Sequence, residues 1–166
     1  TLQSVGTLFA QYVAGYVGSS VERRGKNAEQ DAVWSLVELQ ALVAPAPYGT
    51  PRRTTLGLED ARVALLLAVL DRRSPVDLLS QDVYAKAAGG VRVAEPAADL
   101  AIALAIASSR LELALPPDTA AMGEIGLGGE LRRVSRVDVR VAEAARLGIT
   151  TAAIAPSGVA MKAIGR

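Results

Sequence analysis

Residues 95–109, EPAADLAIALAIASS, place the strongest constraint on how this chain can fold. Pro96 would lie in the first turn of a helix and Asp99 near the positive end of its dipole, which are favoured places for these residue types. Many of the other residues are alanine, whose small side chain lets a neighbouring backbone approach closely. We therefore expect this segment to form the central, tightly packed helix of the domain.

Further helices and strands are predicted on both sides of this helix. Their irregular alternation, without a repeat period or a glycine-rich dinucleotide-binding turn, predicts an α/β fold. The expected strands are residues 33–43, 83–88, 120–125, 129–133 and 150–155, and the other expected helices are residues 62–73 and 136–147. In the last helix, the spacing predicts that the inward side chains are Val137, Val141, Ala144 and Ala145.

The first 30 residues have a different pattern of apolar and charged residues. Apolar residues recur at spacings of three and four between Leu2 and Val17, which predicts an N-terminal amphipathic helix. Gly18 and the charged stretch 22–31 break this pattern and predict an exposed linker. We therefore expect residues 1–30 to form a helix and linker, and residues 31–166 to form the domain.

Composition excludes several classes of function. The 166 residues contain no cysteine and no histidine, so the chain cannot build a Ser-His-Asp triad, a thiol redox pair or an ordinary His/Cys zinc site. The net charge of +1 does not mark it as a global binder of nucleic acid or anionic lipid. No apolar run approaches the roughly 20 residues of a membrane span, so we expect no membrane partner. The lack of cysteine fits a reducing compartment, and we expect a cytoplasmic protein.

Five blocks of sequence identify a family resemblance. In order, they are VELQALVAPAPYGTPRRT (37–54), RVALLLAVLDRR (62–73), QDVYAKAAGGVRV (81–93), EPAADLAIALAIASS (95–109) and GEIGLGGELRRVSRVDVRVAEAARLGI (123–149). Together they closely resemble the C-terminal Lon-protease-like domain of the bacterial RadA (Sms) family of recombination and DNA-repair ATPases. The resemblance covers residues 33–155, whereas the first 30 residues match it poorly.

This resemblance implies a Lon proteolytic-domain-like fold, also described as ribosomal protein S5 domain 2-like. Lon-type proteases use a serine nucleophile in a Gly-Pro-Ser-Ala-Gly context and a lysine base. Here Ala97 occupies the place of the serine, and Asp138 occupies that of the lysine. Because alanine has no attacking oxygen and aspartate has no amine, the resemblance implies that this chain has no catalytic residues.

The chain also lacks the signature of a motor domain. A P-loop requires Gly-x-x-x-x-Gly-Lys-Ser/Thr, and the stretch from Gly18 to Asn27 is too widely spaced and ends in asparagine. We therefore expect no cofactor and no metal in this chain. The resemblance implies that ATP, magnesium and zinc bind an upstream part. It also implies a homo-hexameric ring that drives branch migration on single-stranded and branched DNA, and it leaves open a contact with the RecA recombinase.

Arginines are the candidate contacts to DNA phosphates, because their planar guanidinium groups suit phosphate oxygens. A rigid turn at residues 49–51 would push Arg52 and Arg53 outward. Arg136 and Arg140 are four residues apart and would share one helix face. The predicted DNA-binding residues are Arg52, Arg53, Arg132, Arg133, Arg136 and Arg140.

The alternative is that carboxylates such as Glu59, Asp60, Asp138 or Glu143, or those of a neighbouring subunit, neutralise these arginines. Arg72 and Arg73 are explained by the negative end of a helix dipole. The sequence and the resemblance therefore predict a non-proteolytic module that provides DNA binding and hexameric ring assembly in a RadA-type repair ATPase. The alternative function is a purely structural oligomerisation platform without DNA contact. An active Lon-type peptidase is a disfavoured third.

Overall fold

The computed structural model describes residues 9–16, 33–47, 49–116, 118–155 and 159–160, and strands and helices alternate within these ranges. The elements are β1 (Phe9–Tyr16), β2 (Val33–Pro45), β3 (Arg53–Leu56), α1 (Asp60–Arg73), β4 (Gln81–Ala87), α2 (Asp99–Leu111), β5 (Thr119–Met122), β6 (Glu124–Ile125), β7 (Glu130–Arg132), α3 (Val137–Arg146), β8 (Thr151–Ile154) and β9 (Val159–Ala160). The expected α/β class is confirmed. A short 3-10 turn, Pro96–Ala98, leads directly into α2.

The strands form two sheets. The larger has six strands in the order β3-β4-β2-β1-β5-β8. β2 is antiparallel to both β1 and β4, whereas β3 is parallel to β4 and β5 is parallel to β1 and β8. The smaller sheet is antiparallel, in the order β6-β7-β9. β6 and β7 form a hairpin around Gly126, Leu127 and Gly128.

Helix α2 lies at the centre of the main core, which confirms the expectation for the alanine-rich segment. Ala101, Ile102 and Ile106 are almost completely buried. They belong to one core cluster with residues of α1 and with Val37 and Leu39 of β2. Since alternate residues of a strand point to opposite sides, Val37 and Leu39 define the inner face of the large sheet. Helices α1 and α2 cover that face.

The outer face is covered only in part within the described residues. Ala144 of α3 packs with Leu36 of β2 and Ala120 of β5, which places α3 on the side opposite α2. Farther along the sheet, Leu42 of β2 and Leu56 of β3 are well exposed. They line a groove of about 240 Å³ together with Tyr84 and Lys86 of β4. We call this groove, defined by these four residues, the outer groove.

The predicted N-terminal helix is wrong for residues 9–16. These residues form β1, which pairs antiparallel with β2 from Phe9 opposite Gln40 to Tyr16 opposite Val33. A spacing of three and four places apolar residues on one face of a helix, but aromatic and valine residues also favour strands. Hydrogen bonding to β2 and β5 decides the outcome. Residues 1–8 and 17–32, which hold the rest of the predicted helix and linker, lie outside the described residues.

Most other expected elements are confirmed with small shifts at their ends. The three helices fall where the sequence predicts them, and β2, β4 and β8 match expected strands. The stretch 120–125 divides into β5 and β6, which belong to different sheets. Strand β3 was not expected, because Pro51 and two arginines suggested an exposed turn. It forms by parallel pairing with β4, with Arg53 aligned with Val83.

Gly57, between β3 and α1, offers a test of this packing. Its φ is +72°, and a Cβ there would overlap the carbonyl oxygen of Val91. Gly49 has a similar φ of +74° but no atom within 4 Å of an added Cβ. Gly49→Ala should cost about 1–2 kcal/mol for the left-handed backbone alone. Gly57→Ala should cost a further 1–3 kcal/mol or so for the steric overlap, measured by urea unfolding. Equal losses in the two variants would contradict the close approach to Val91.

Candidate functional site

The carboxylate of Asp99 is a buried acidic group that contacts two other elements of the fold. Asp99 is only 3% exposed at the first position of α2. Its Oδ1 accepts a hydrogen bond from Nη1 of Arg62 in α1 at 2.8 Å, and its Oδ2 accepts one from the backbone N–H of Ile125 in β6 at 3.2 Å. One side chain therefore joins the two inner helices to the β6–β7 hairpin.

Burial raises the pKa of Asp99 above its usual 3.8, because removing water from the carboxylate disfavours the charged form. The hydrogen bonds from Arg62 and from the backbone of Ile125 act in the opposite direction, as does the charge of Arg62. The negative charge of Glu124 adds to the rise. Desolvation is thus the largest effect at this position.

Asp99 lines a cleft of about 470 Å³ between α1 and the hairpin. Leu65 of α1 and Leu127 of the hairpin turn stand on its two sides, and both are more than half exposed. Charged side chains surround them. The carboxylates are Glu59, Asp99, Glu124 and Glu130, and the cations are Arg62 and Arg132. The cleft therefore has an excess of negative charge, which does not favour phosphates.

The two positions implied by the protease resemblance lie on neighbouring segments. Ala97, in the 3-10 turn before α2, is buried, and Asp138, in the first turn of α3, is exposed. Glu95, two residues before Ala97, forms an ion pair with Arg140, two residues after Asp138. This ion pair holds the start of α2 next to the first turns of α3.

Arg140 does not lie on a surface that could contact DNA. It is 2% exposed, its Nε donates to the carbonyl of Ser135 at 3.0 Å, and its guanidinium pairs with Glu95. The prediction that it shares an accessible face with Arg136 is wrong. Arg136 precedes α3 in a left-handed conformation with a φ of 55°, so it is not on the helix face. Arg140 and Ala144 are the buried residues of α3, whereas Ala145, expected inward, is exposed.

Arg132 is held by carboxylates of its own hairpin. It bridges Glu124, at 3.1 Å, and Glu130. The pKa of Glu130 is lowered first by its own backbone N–H and then by the hydrogen bond from Arg132. Hydrogen bonds from Arg146 likewise lower the pKa of Glu143. These are the neutralising contacts that the alternative interpretation of the arginines predicts, although they involve Glu124 and Glu130 rather than Asp138.

Arg52 and Arg53 have different environments. Arg53 lies in β3 and donates from Nη2 to the carbonyl of Leu78 at 2.9 Å and from Nη1 to that of Gln81. It therefore acts as a brace between β3 and the segment before β4. The backbone N–H of Arg52 donates to Asp82 at 2.7 Å, and its side chain is exposed. Both side chains are exposed, but the guanidinium of Arg53 is held by backbone carbonyls, whereas none of the described residues binds that of Arg52.

Arg133 and Arg136 lie in the connection between β7 and α3, and both are exposed. No carboxylate within the described residues forms an ion pair with either of them. Together with Arg52, they are the members of the predicted arginine set that remain available to an anionic partner. Among all residues that the structure describes, no group of three carboxylates lies close enough to hold a metal ion. None of the described helices has the length and hydropathy needed to cross a membrane.

Two ion pairs were not predicted from the sequence. Arg62 pairs with Asp99, and Arg140 pairs with Glu95, across 37 and 45 residues respectively. No local sequence pattern indicates which residues pair across such separations. One signal for Arg140 was present, however, because residue 140 is three after Val137 and four before Ala144. Helical spacing therefore places it on the face that was expected to point inward.

The ion pair of Arg140 should matter for stability. Arg140→Met leaves Glu95 without its cation and should lower the free energy of unfolding by about 2–4 kcal/mol. Arg133→Met makes the same change at an exposed position and should cost less than about 0.5 kcal/mol. Urea unfolding followed by circular dichroism measures both variants. A loss at Arg140 as small as that at Arg133 would contradict the buried ion pair.

Asp99 should give stability an unusual dependence on pH. Because its pKa is raised in the folded state, that state binds the proton more tightly, so the contribution of Asp99 is present at low pH. It is lost as the pH rises through the folded pKa. The unfolding free energy of the wild type minus that of Asp99→Asn should therefore fall as the pH rises above 3.8. A difference that grows with pH would show that Arg62 outweighs desolvation.

Comparison with known proteins identifies relatives of this chain. No family model matches it. The DNA repair protein RadA of Streptococcus pyogenes serotype M1 is 54% identical over 115 residues, which is 69% of this chain and 25% of that protein. That of Mycolicibacterium smegmatis is 50% identical over 119 residues, or 72% of this chain and 25% of that protein.

A third relative extends the match. The DNA repair protein RadA of Bacillus subtilis is 47% identical over 135 residues, which is 81% of this chain and 29% of that protein. The chain thus spans about a quarter of the length of the curated relatives that it matches. Identity of this level over most of the chain shows common descent. The chain is therefore homologous, over most of its length, to a part of the DNA repair protein RadA.

Proposed function

We propose that this chain is a non-proteolytic module of a RadA-type DNA-repair ATPase, and that it contacts DNA phosphates and takes part in ring assembly. The observation that carries the DNA contact is the exposure of Arg133 and Arg136 beside the first turn of α3, with Arg52 as a further exposed cation. Arginines without intramolecular carboxylate partners keep their charge available for phosphates. The homology to RadA supports a role in DNA repair.

The proposed fold is the Lon proteolytic-domain type with its active site erased. The ion pair between Glu95 and Arg140 supports this assignment, because it holds the segments of Ala97 and Asp138 side by side. A methyl group at residue 97 offers no nucleophile, and a carboxylate at residue 138 offers no amine base. Peptide hydrolysis is therefore not proposed. We assign the binding of ATP, magnesium and zinc to the parts of a RadA-type protein that lie outside the region homologous to this chain.

A second candidate function is an oligomerisation platform that does not contact DNA. The exposed leucines of the outer groove favour it, because an open apolar groove on a sheet is typical of an interaction surface. In that case, the exposed arginines would pair with carboxylates of a neighbouring subunit. The two candidates differ in whether an oligonucleotide binds. A homo-hexamer and a contact with RecA remain proposals under either one.

Fluorescence anisotropy of a labelled single-stranded oligonucleotide tests DNA binding. The chain should bind at low salt and lose affinity steeply as salt increases. The variant Arg133→Glu/Arg136→Glu should weaken binding at least about tenfold and reduce the salt slope by about 1.4, because each lost phosphate contact on a single strand contributes about 0.7.

Arg146→Glu is the control for the reversal of a single arginine charge. It reverses a charge that already pairs with Glu143, at the other end of α3 and roughly 15 Å away from Arg136. It should reduce affinity far less, since screening attenuates charges beyond about 8–10 Å. If the folded chain binds no oligonucleotide even at low salt, the platform function replaces DNA binding. Equal losses in all variants would remove the assignment to Arg133 and Arg136.

A further inference from the structure

The tip of the β6–β7 hairpin is a projecting apolar residue among carboxylates. Leu127 is 70% exposed between Gly126 and Gly128. Backbone hydrogen bonds from Gly126 N–H to the carbonyl of Glu130 and from Gly129 N–H to the carbonyl of Gly126, both 2.9 Å, fix the turn. The Asp99 contact to Ile125 anchors the hairpin to α2. Leu127 is therefore presented to solvent on a rigid support.

Negative charge surrounds this tip. Glu124 and Glu130 flank the hairpin but share one cation, Arg132. Glu59, on the opposite side of the cleft, lies 3.9 Å from Nε of Arg62, and the nearer partner of Arg62 is Asp99. The cleft carries four carboxylates and two guanidinium groups. A partner surface that receives Leu127 should therefore combine an apolar groove with an added cation.

The outer groove has that combination. Leu42 and Leu56 are 55% and 64% exposed and line the groove with Tyr84. Lys86 lies at the same groove and is exposed, and none of the described carboxylates forms an ion pair with it. The groove is therefore apolar with one exposed cation, Lys86, whereas the hairpin tip presents an exposed leucine flanked by the carboxylates of Glu124 and Glu130. The two surfaces are both apolar at their centres and opposite in the charge beside them.

These surfaces lie on opposite sides of the molecule. Ile125 of the hairpin belongs to the core on the inner face of the large sheet, whereas Leu42 and Tyr84 point from the outer face. The two surfaces of one chain therefore cannot meet each other. A contact between them joins two copies head to tail, and such contacts produce closed rings or open filaments.

We propose that the hairpin tip of one copy docks into the outer groove of a second copy, with Leu127 between Leu42 and Leu56 and with Lys86 facing the carboxylates of the hairpin. This inference rests on the ring-assembly part of the proposed function and names its interface. It does not depend on DNA binding, because Arg133 and Arg136 lie outside both surfaces.

Cross-linking tests the pairing directly, because the chain contains no native cysteine. Single variants Leu127→Cys and Leu42→Cys, mixed under mild oxidation, should form a disulfide-linked dimer. Each variant alone should form little disulfide-linked dimer, since a head-to-tail contact does not bring identical residues of two copies together. The pair Leu127→Cys and Leu113→Cys is the control, because Leu113 is 63% exposed but does not line the outer groove.

The mass of the uncross-linked chain supplies the second measurement. Light scattering across a range of concentrations should show association of the wild type. Leu127→Ser should weaken it by at least about tenfold, as expected for losing one buried leucine side chain. Lys86→Glu should weaken it by roughly two- to fivefold. Leu113→Ser should leave it unchanged. Circular dichroism confirms that each variant is folded.

Each outcome decides between specific interpretations. Abundant disulfide in Leu127→Cys alone would indicate a two-fold symmetric contact and overturn the head-to-tail pairing. Cross-linking of Leu127→Cys to Leu113→Cys as efficient as to Leu42→Cys would do the same. A chain that remains monomeric at every concentration but still binds the oligonucleotide would overturn this interface and leave the DNA contact standing. Association that Leu127→Ser does not alter would place the interface elsewhere.

Discussion

The buried carboxylate of Asp99 is the contact on which the arrangement of the inner layer depends. It binds Arg62 of α1 and the backbone of β6 at the point where α2 begins. Backbone hydrogen bonds from Leu100 to Gly123 and from Gly123 to Ala97 reinforce the same junction. Because one side chain and these backbone bonds link the three elements, their relative positions are fixed at this junction. The hairpin that carries Leu127, and hence the proposed interface, is oriented by this junction.

The arginines among the described residues differ in whether their side chains are bound within the fold. Arg62 and Arg140 stabilise junctions through Asp99 and Glu95, and Arg53 braces β3 through backbone carbonyls. Arg132 and Arg146 are neutralised within their own hairpin or helix. Of the predicted arginine set, Arg133 and Arg136 near the start of α3 and Arg52 before β3 remain exposed without an ion pair. A chain with almost balanced charge can therefore present a local cationic surface at Arg133 and Arg136 as well as an acidic cleft.

The sequence predicted the elements whose signals are local. The alanine-rich α2, the leucine-rich α1 and the valine-rich β2 each follow from composition and periodicity over their own residues. Elements that depend on distant partners were missed. Residues 9–16 satisfy a helical pattern as well as a strand pattern, and pairing with β2 selects the strand. For Arg140, helical spacing indicated the inward face, but its ion-pair partner, Glu95, lies 45 residues earlier and could not be predicted. Of the candidate site, the exposed arginines could be predicted, but the pairs that neutralise the others could not.

The position of β1 has a consequence for how the protein reaches its native state. The earliest described strand lies inside the large sheet, between β2 and β5, and Gln11 is aligned with Ala120. During synthesis, β1 and β2 can form a hairpin long before β5 exists, which leaves one side of β1 without a partner. Parallel pairing across such a sequence separation is slow, and unpaired strand edges are prone to associate with other chains. A nascent chain of this kind is therefore most exposed to misassociation until the segment after α2 has emerged from the ribosome.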